Sequence, residues 1–183
     1  MAVEFRKLWY GHPINESITA PCVAYQDMVN LEGETIKKGF PVFHNQCAIR
    51  LSVALRRAGV TPEQIGRIAS CGAHPVSEMH YINATSLANA IDRANLPGFA
   101  AKEVIGGEQA AQFYPQIFGR TGVIFIKDYW HRSSDGANAP TGDHIDVWNG
   151  YRSSAKWLLE WFSWLGYYSN YAGAKEIWFW EVK

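Results

Sequence analysis

The sequence predicts an α+β fold, with helices packed on a mostly antiparallel sheet in one domain spanning residues 1–183. Three observations carry that prediction. Apolar residues recur at helical spacing through the first two thirds of the chain, and strand-like patterns appear only after Gly119. Helices first and strands later exclude the alternating βαβ order of a parallel sheet. No internal repeat, low-complexity tract or linker divides the chain.

Taken in order, residues 1–40 begin with a short apolar-aromatic segment (Phe5, Leu8, Trp9, Tyr10) and continue as an irregular stretch containing Pro13, Pro21 and Gly33. Pro41 delays regular helix. Ala48, Leu51, Leu55 and Ala58 then lie on one helical face, with Ile49 and Val53 beside them, Asn45 as a candidate N-cap and Gly59 as a stop. Thr61-Pro62-Glu63-Gln64 reads as an N-cap, a proline at N1 and the start of a short helix. A second amphipathic helix is expected over Ala84–Ala94, ended by Leu96-Pro97-Gly98, and a third over about Glu108–Phe118 with Pro115 weakening its last turn. Val123-Ile124-Phe125-Ile126 is a buried-strand pattern, and the Ser/Asp/Gly/Asn/Pro-rich stretch 131–142 is a loop. From Asp143 to Trp148 the pattern alternates, Ile145 and Val147 on one face and His144, Asp146 and Trp148 on the other. Asn149-Gly150 signals a turn, Lys156–Leu165 reads as a short helix or a loop folded on the core, and Ile177–Val182 suits a closing strand.

Composition narrows the function. Lys plus Arg equals Asp plus Glu at 17 each, which leaves no broad basic footprint for nucleic acid. No run approaches the 18 or so apolar residues of a membrane span. Met1–Tyr10 carries Glu4, Arg6 and Lys7 without an apolar region, so no signal peptide is expected and the chain is read as made in the cytoplasm. Three cysteines do not suggest a disulfide scaffold. Cys22 and Cys71 are either buried thiols or, in an oxidising compartment, a disulfide closing a loop of about 50 residues. Cys71, His74 and His80 have a C-x2-H-x5-H spacing that matches no standard zinc module, and no metal or other cofactor is expected.

The chemistry concentrates at Cys47. It falls in the first helical turn, where free backbone N–H groups and the helix dipole favour an anion. A thiol so placed ionises near neutral pH and becomes a strong nucleophile. Such a nucleophile needs a base, and His144, on a predicted strand beside a polar loop, is the candidate among six histidines. His12 and His131 are expected to be solvent-exposed, and His44 to be poorly placed for Cys47. A cysteine at a helix start followed much later by a strand histidine, here 97 residues on, resembles the arrangement of papain-like cysteine peptidases.

Two motifs make a more specific resemblance. Asn45-Gln46-Cys47-Ala48-Ile49-Arg50-Leu51-Ser52 and Thr141-Gly142-Asp143-His144-Ile145-Asp146-Val147-Trp148-Asn149-Gly150, with the aromatic opening Phe5 to Trp9 and the closing Ile177-Trp178-Phe179-Trp180, resemble the fourth family of type VI secretion amidase effectors. The resemblance implies a papain-like fold and a secreted antibacterial enzyme acting in the periplasm of a rival bacterium. It implies cleavage of the peptidoglycan stem peptide between D-glutamate and meso-diaminopimelate, delivery by the type VI apparatus and a cognate immunity protein that blocks the groove. It also implies that Cys47 is the nucleophile and His144 the base. The family's aspartate, about eleven positions after the histidine, has Ala155 in its place here. Asp146 is the nearest substitute, orienting His144 through Nδ1–H or else facing solvent or substrate, and Asp143 or Asn149 are further options for orienting the ring. Asn45 has two roles open to it, N-cap or oxyanion donor, and Arg50 two, a carboxylate clamp or a structural ion pair. Asn45, Arg50, Trp148 and Asn149 form the expected substrate-binding set. The competing readings are a protein-directed protease or acyltransferase on the same scaffold, and an inactive, aromatic-rich glycan- or partner-binding module.

Overall fold

The computed structural model describes residues 2–132, 135, 140–154 and 173–183. Ala155 and the Lys156–Leu165 segment lie outside them. Helix α1 (Phe5–Gly11) opens the chain; a minimal hairpin, β1 (Met28–Val29) with β2 (Thr35–Ile36), is the only regular structure in residues 17–46. Next come α2 (Cys47–Arg57), α3 (Pro62–Ile65), α4 (Ala84–Ala94), β3 (Glu103–Gly106), a 3-10 segment leading into α5 (Phe113–Ile117), β4 (Thr121–Trp130), β5 (Gly142–Asn149) and β6 (Glu176–Glu181). Strands β3 to β6 form one antiparallel sheet in the order β3-β6-β4-β5.

Helix α2 is the centre of the molecule. Its Ala48, Leu51 and Leu55 join Leu87, Ala88 and Ile91 of α4 against Val123, Phe125, Ile145 and Val147 of the sheet. Ile49 and Val53, on another side, pack against Cys22, Ala24, Val42 and Phe43 of the irregular N-terminal segment. A helix apolar on so much of its surface is held in place by packing on several sides, with Arg56 and Arg57 left exposed in its last turn. The second face of the sheet has its own core, in which Ile124, Ile126 and Phe179 meet Phe113 and Ile117.

The local signals explain most boundaries. Thr61 and Gln64 form a capping box with Pro62 in the first turn of α3, and Asn83 caps α4 by accepting from Ser86 N–H. Gly59, just past α2, adopts a left-handed φ of 95° that suits glycine. The expected third helix is real but divided, six residues of 3-10 turn followed by five of α-helix, with Pro115 tolerated inside the first turn of α5. Strand β3 falls where no strand was expected: its four residues carry only one buried side chain, too little for a two-residue period to register. Among the described residues, no helix is long and apolar enough to cross a membrane.

Candidate active site

The site forms where the start of α2 meets β5. Among the described strands β5 pairs with β4 and ends the order, and its residues from Gly142 to Trp148 are buried. After β5 the chain turns at Gly150 and comes back beside it: Asn149 N–H donates to Arg152 O and Ser154 N–H to Val147 O, 3.0 and 3.1 Å. That return brings the Ser154 hydroxyl onto Asp146 Oδ1 as a donor.

Cys47, His144 and Asp146 are all buried and stand in sequence. His144 Nε2 lies 3.5 Å from Asp146 Oδ2, which leaves Nδ1 as the ring nitrogen for the thiol. The expected polarity, with Nδ1–H toward the carboxylate, is therefore reversed. Backbones two strand residues apart are separated by about 7 Å, and the length of the imidazole closes that gap. Asp146 Oδ1 also accepts from Val147 N–H at 2.8 Å.

Electrostatics follow from these contacts. Burial alone would lower the His144 pKa, but hydrogen bonding to Asp146 and Cys47 and the charges of both push it up to about 9. Burial would raise the Asp146 carboxyl, yet hydrogen bonds from His144 and Ser154 keep it well below the usual carboxylate range. Burial likewise opposes ionisation of Cys47; His144, a backbone hydrogen bond from Ile145 and the charge of Arg50 outweigh it and lower the thiol. The shifts of Cys47 and His144 both run toward a thiolate–imidazolium pair backed by a carboxylate.

Cys47 opens onto a cavity of about 470 Å³, walled by Leu31, Phe43, Asn45, Asn83, Ser86, Trp130, Arg132 and Asp143 among others. Asn45 is exposed at its rim, and its Oδ1 accepts the Cys47 N–H at 3.1 Å. The N-cap position itself belongs to Gln46, a correction to the expected Asn45 cap. The Gln46 side chain is turned inward, pairing with both backbone groups of Cys22 at 2.8 Å each. Asp143 is occupied elsewhere, accepting from Asp128 N–H at 3.0 Å and from the Thr85 hydroxyl.

Other expected site residues are placed away from the cavity. The Arg50 guanidinium donates to Thr19 O through Nε at 2.7 Å and through Nη2, tying α2 to the N-terminal segment. Trp148 is 2% exposed in the second core, donating to Ile117 O at 3.2 Å and edge-on to Phe113 and Tyr114. Asn149 Oδ1 accepts the N–H groups of Tyr151 and Arg152, the work of a turn residue. Conversely, His12, expected in solvent, is 1% exposed with Nε2 3.3 Å from Asp146 Oδ1. Burial lowers its pKa to about 4 despite the carboxylate, so it is neutral at pH 7. The flanking Pro13 and Gly11 read as loop, and nothing in the sequence says that α1 packs beside β5.

Comparison with known proteins fits this geometry. The model of the family described as "Type VI secretion system (T6SS), amidase effector protein 4" matches residues 43–180. The structure is similar to one described as the effector–immunity system Tae4/Tai4 from Salmonella typhimurium, with a TM-score of 0.55 and 13% identity over 100% of both chains. It is also similar to the type VI effector Tae4 from Enterobacter cloacae, with a TM-score of 0.54 and 16% identity over 100% of this chain and 98% of the other. At such identities the likeness establishes the fold, which is the papain-like one. A comparison with curated proteins finds no match.

Proposed function

The chain belongs to the type VI secretion system amidase effector 4 family, and from that premise we propose that it is a cysteine amidase cutting the peptidoglycan stem peptide at the D-glutamyl–meso-diaminopimelate bond. The observation that carries the cysteine mechanism is the buried line of Cys47, His144 and Asp146, with 3.5 Å between imidazole and carboxylate. A histidine raised to about 9 beside a lowered thiol favours a working site over an inactive binding module.

In this reading the Cys47 thiolate attacks the γ-D-glutamyl carbonyl carbon. The oxyanion takes the Cys47 N–H that Asn45 holds in the free protein, and donors already at the thiol need no reorganisation beyond that exchange. His144, protonated at Nδ1, gives that proton to the leaving amine of diaminopimelate. A water then loses a proton to the same nitrogen and attacks the thioester, releasing the D-glutamyl carboxylate and the thiolate. Asp146 positions the ring from Nε2 and balances its charge; Ser154 and the Val147 N–H hold Asp146. Arg132, a cation in the cavity wall, is the group placed to meet a stem-peptide carboxylate.

The enzyme acts in the periplasm of the bacterium that receives it. Its partners are the injection apparatus and an immunity protein that covers the cavity, as the paired description of the Salmonella system suggests. The test is digestion of purified muropeptides by wild type and Cys47→Ala, read by mass spectrometry. The expected products are fragments ending at D-glutamate, absent with the variant. Intact muropeptides with wild type, or cleavage of a protein substrate in their place, would remove this reading.

A further inference from the structure

A second cluster of sulfur and nitrogen lies away from the cavity, and the proposed reaction does not use it. Cys22, Cys71, His74 and His80 are 0%, 2%, 8% and 5% exposed, and one ligand atom from each lies within 4.8 Å of all the others. We propose that these four residues form a structural, tetrahedral zinc site.

The two His74 edges match those of a coordination sphere, and all four ligand atoms lie within 4.8 Å of one another. His74 Nδ1 is 3.5 Å from Cys22 Sγ and 3.2 Å from Cys71 Sγ. A tetrahedral ion with Zn–S of about 2.3 Å and Zn–N of about 2.0–2.1 Å sets each sulfur–nitrogen edge at about 3.5 Å. His80 supplies the independent sign. Its Nδ1 is buried with no hydrogen-bond partner among the described residues, a costly state for a polar atom unless something else satisfies it. Its Nε2 meanwhile lies 3.7 Å from Glu78 Oε2. An imidazole that ligates through one nitrogen and faces a carboxylate with the other is the usual arrangement around zinc. Two thiols and two imidazoles favour zinc over hard cations, and a buried set of four leaves no open position for a substrate. On binding, each thiol gives up its proton and both imidazoles remain neutral.

The topology gives the ion a task. Residues 17–46 hold only the two-residue strands of the hairpin, and Tyr25, Val29, Leu31 and Phe40 stay exposed along them. That segment has little core of its own, yet Leu31 and Phe43 wall the cavity. A metal bridging Cys22 to the 71–80 turn fastens it. The Gln46 side chain, bonded to both backbone groups of Cys22, links the staple to the residue before Cys47. Spacing alone could not reveal the site, because the fourth ligand is 49 residues upstream of Cys71.

The experiment uses the full chain carrying Cys47→Ala, so that Cys22 and Cys71 are its only thiols, purified without chelator and with any tag removed. Elemental analysis should find about one zinc per chain. Metal-stripped, reduced protein should take up one Co²⁺ per chain with the strong visible absorption of a tetrahedral cobalt thiolate. Cys71→Ser and His80→Ala should each lose that spectrum, and chelation should lower the thermal midpoint of the parent. The cobalt titration of this parent does not depend on the folding of Cys71→Ser or His80→Ala. A reduced chain that takes up no cobalt overturns the site, and so does freshly purified protein holding no zinc, whether its two thiols are free or joined as a disulfide.

Discussion

Two buried groups of cysteine and histidine sit on either side of the N-terminal half of α2, and they differ in what surrounds the sulfur. At Cys47 one thiol faces one imidazole, a carboxylate backs the imidazole at 3.5 Å, and the sulfur opens onto a cavity. At Cys22 and Cys71 two thiols converge on two imidazoles in a closed pocket, with a carboxylate only at the margin, 3.7 Å from His80. In the proposed reading the same side chains serve proton transfer in one place and ligation in the other. Access and stoichiometry, more than residue type, separate a nucleophile from a ligand set.

The contrast is sharpest in single substitutions. Cys47→Ala should abolish muropeptide cleavage, a loss of about 10⁴-fold or more, with little change in thermal midpoint. Cys71→Ser should do the reverse to stability, lowering the midpoint by about 5 °C or more, while Cys47 still alkylates in the folded protein. Calorimetry beside the digestion assay reads both; equal stability loss in the two variants would erase the distinction.

Next in size is the carboxylate. Asp146→Asn should reduce turnover by about 10²–10⁴-fold, since an amide cannot balance the imidazolium. KM should hardly move. A rise in KM with turnover kept would make Asp146 a substrate contact. Ser154→Ala, which removes one donor to Asp146, should cost about tenfold by the same assay, consistent with a hydrogen bond to a charged group.

Acid and alkali probe the site from opposite sides. His144 is raised from 6.5 to about 9, so its pairing stabilises the fold fully below pH 6.5 and is lost as pH rises through 9. His12 is depressed to about 4 and buried neutral, so its contribution is present above pH 6.5 and is lost as pH falls toward 4. Asp146, also depressed, adds to the acid loss below its ordinary range. The thermal midpoint should therefore peak near pH 6.5 as far as these groups decide it. His12→Gln should flatten the acid limb and leave the alkaline one. The smallest effect expected is from Trp148→Phe, about 1 kcal/mol of stability from a lost indole hydrogen bond, with KM unchanged.

The legible part of the molecule was its local part. Helix α2 with its glycine stop, the capped α3 and α4, and the alternation that put His144 and Asp146 on one face all follow from neighbours in sequence. What escaped depends on distant chain meeting distant chain. His12 reaches Asp146 across 134 residues, and Cys22 joins Cys71 from a segment with almost no periodic structure. Trp148 shares the alternation of His144 and Asp146, yet it lies past the active end of the strand and fills the second core. Alternation assigns a face, but only packing decides which part of that face is a site. The Ser154 hydroxyl is invisible in the sequence for the same reason: its partner is set by the turn at Gly150.

In the proposed mechanism Asp146 holds the thiolate–imidazolium pair together. The pH dependence of Cys47 alkylation by iodoacetamide, followed by mass spectrometry in wild type and in Asp146→Asn, tests it without any substrate. The account predicts ready alkylation of the wild type at pH 6, with an apparent pK below the ordinary thiol value of about 8.5, and an upward shift of that pK in the variant. A wild type inert at pH 6, or coincident profiles for the two proteins, would contradict it.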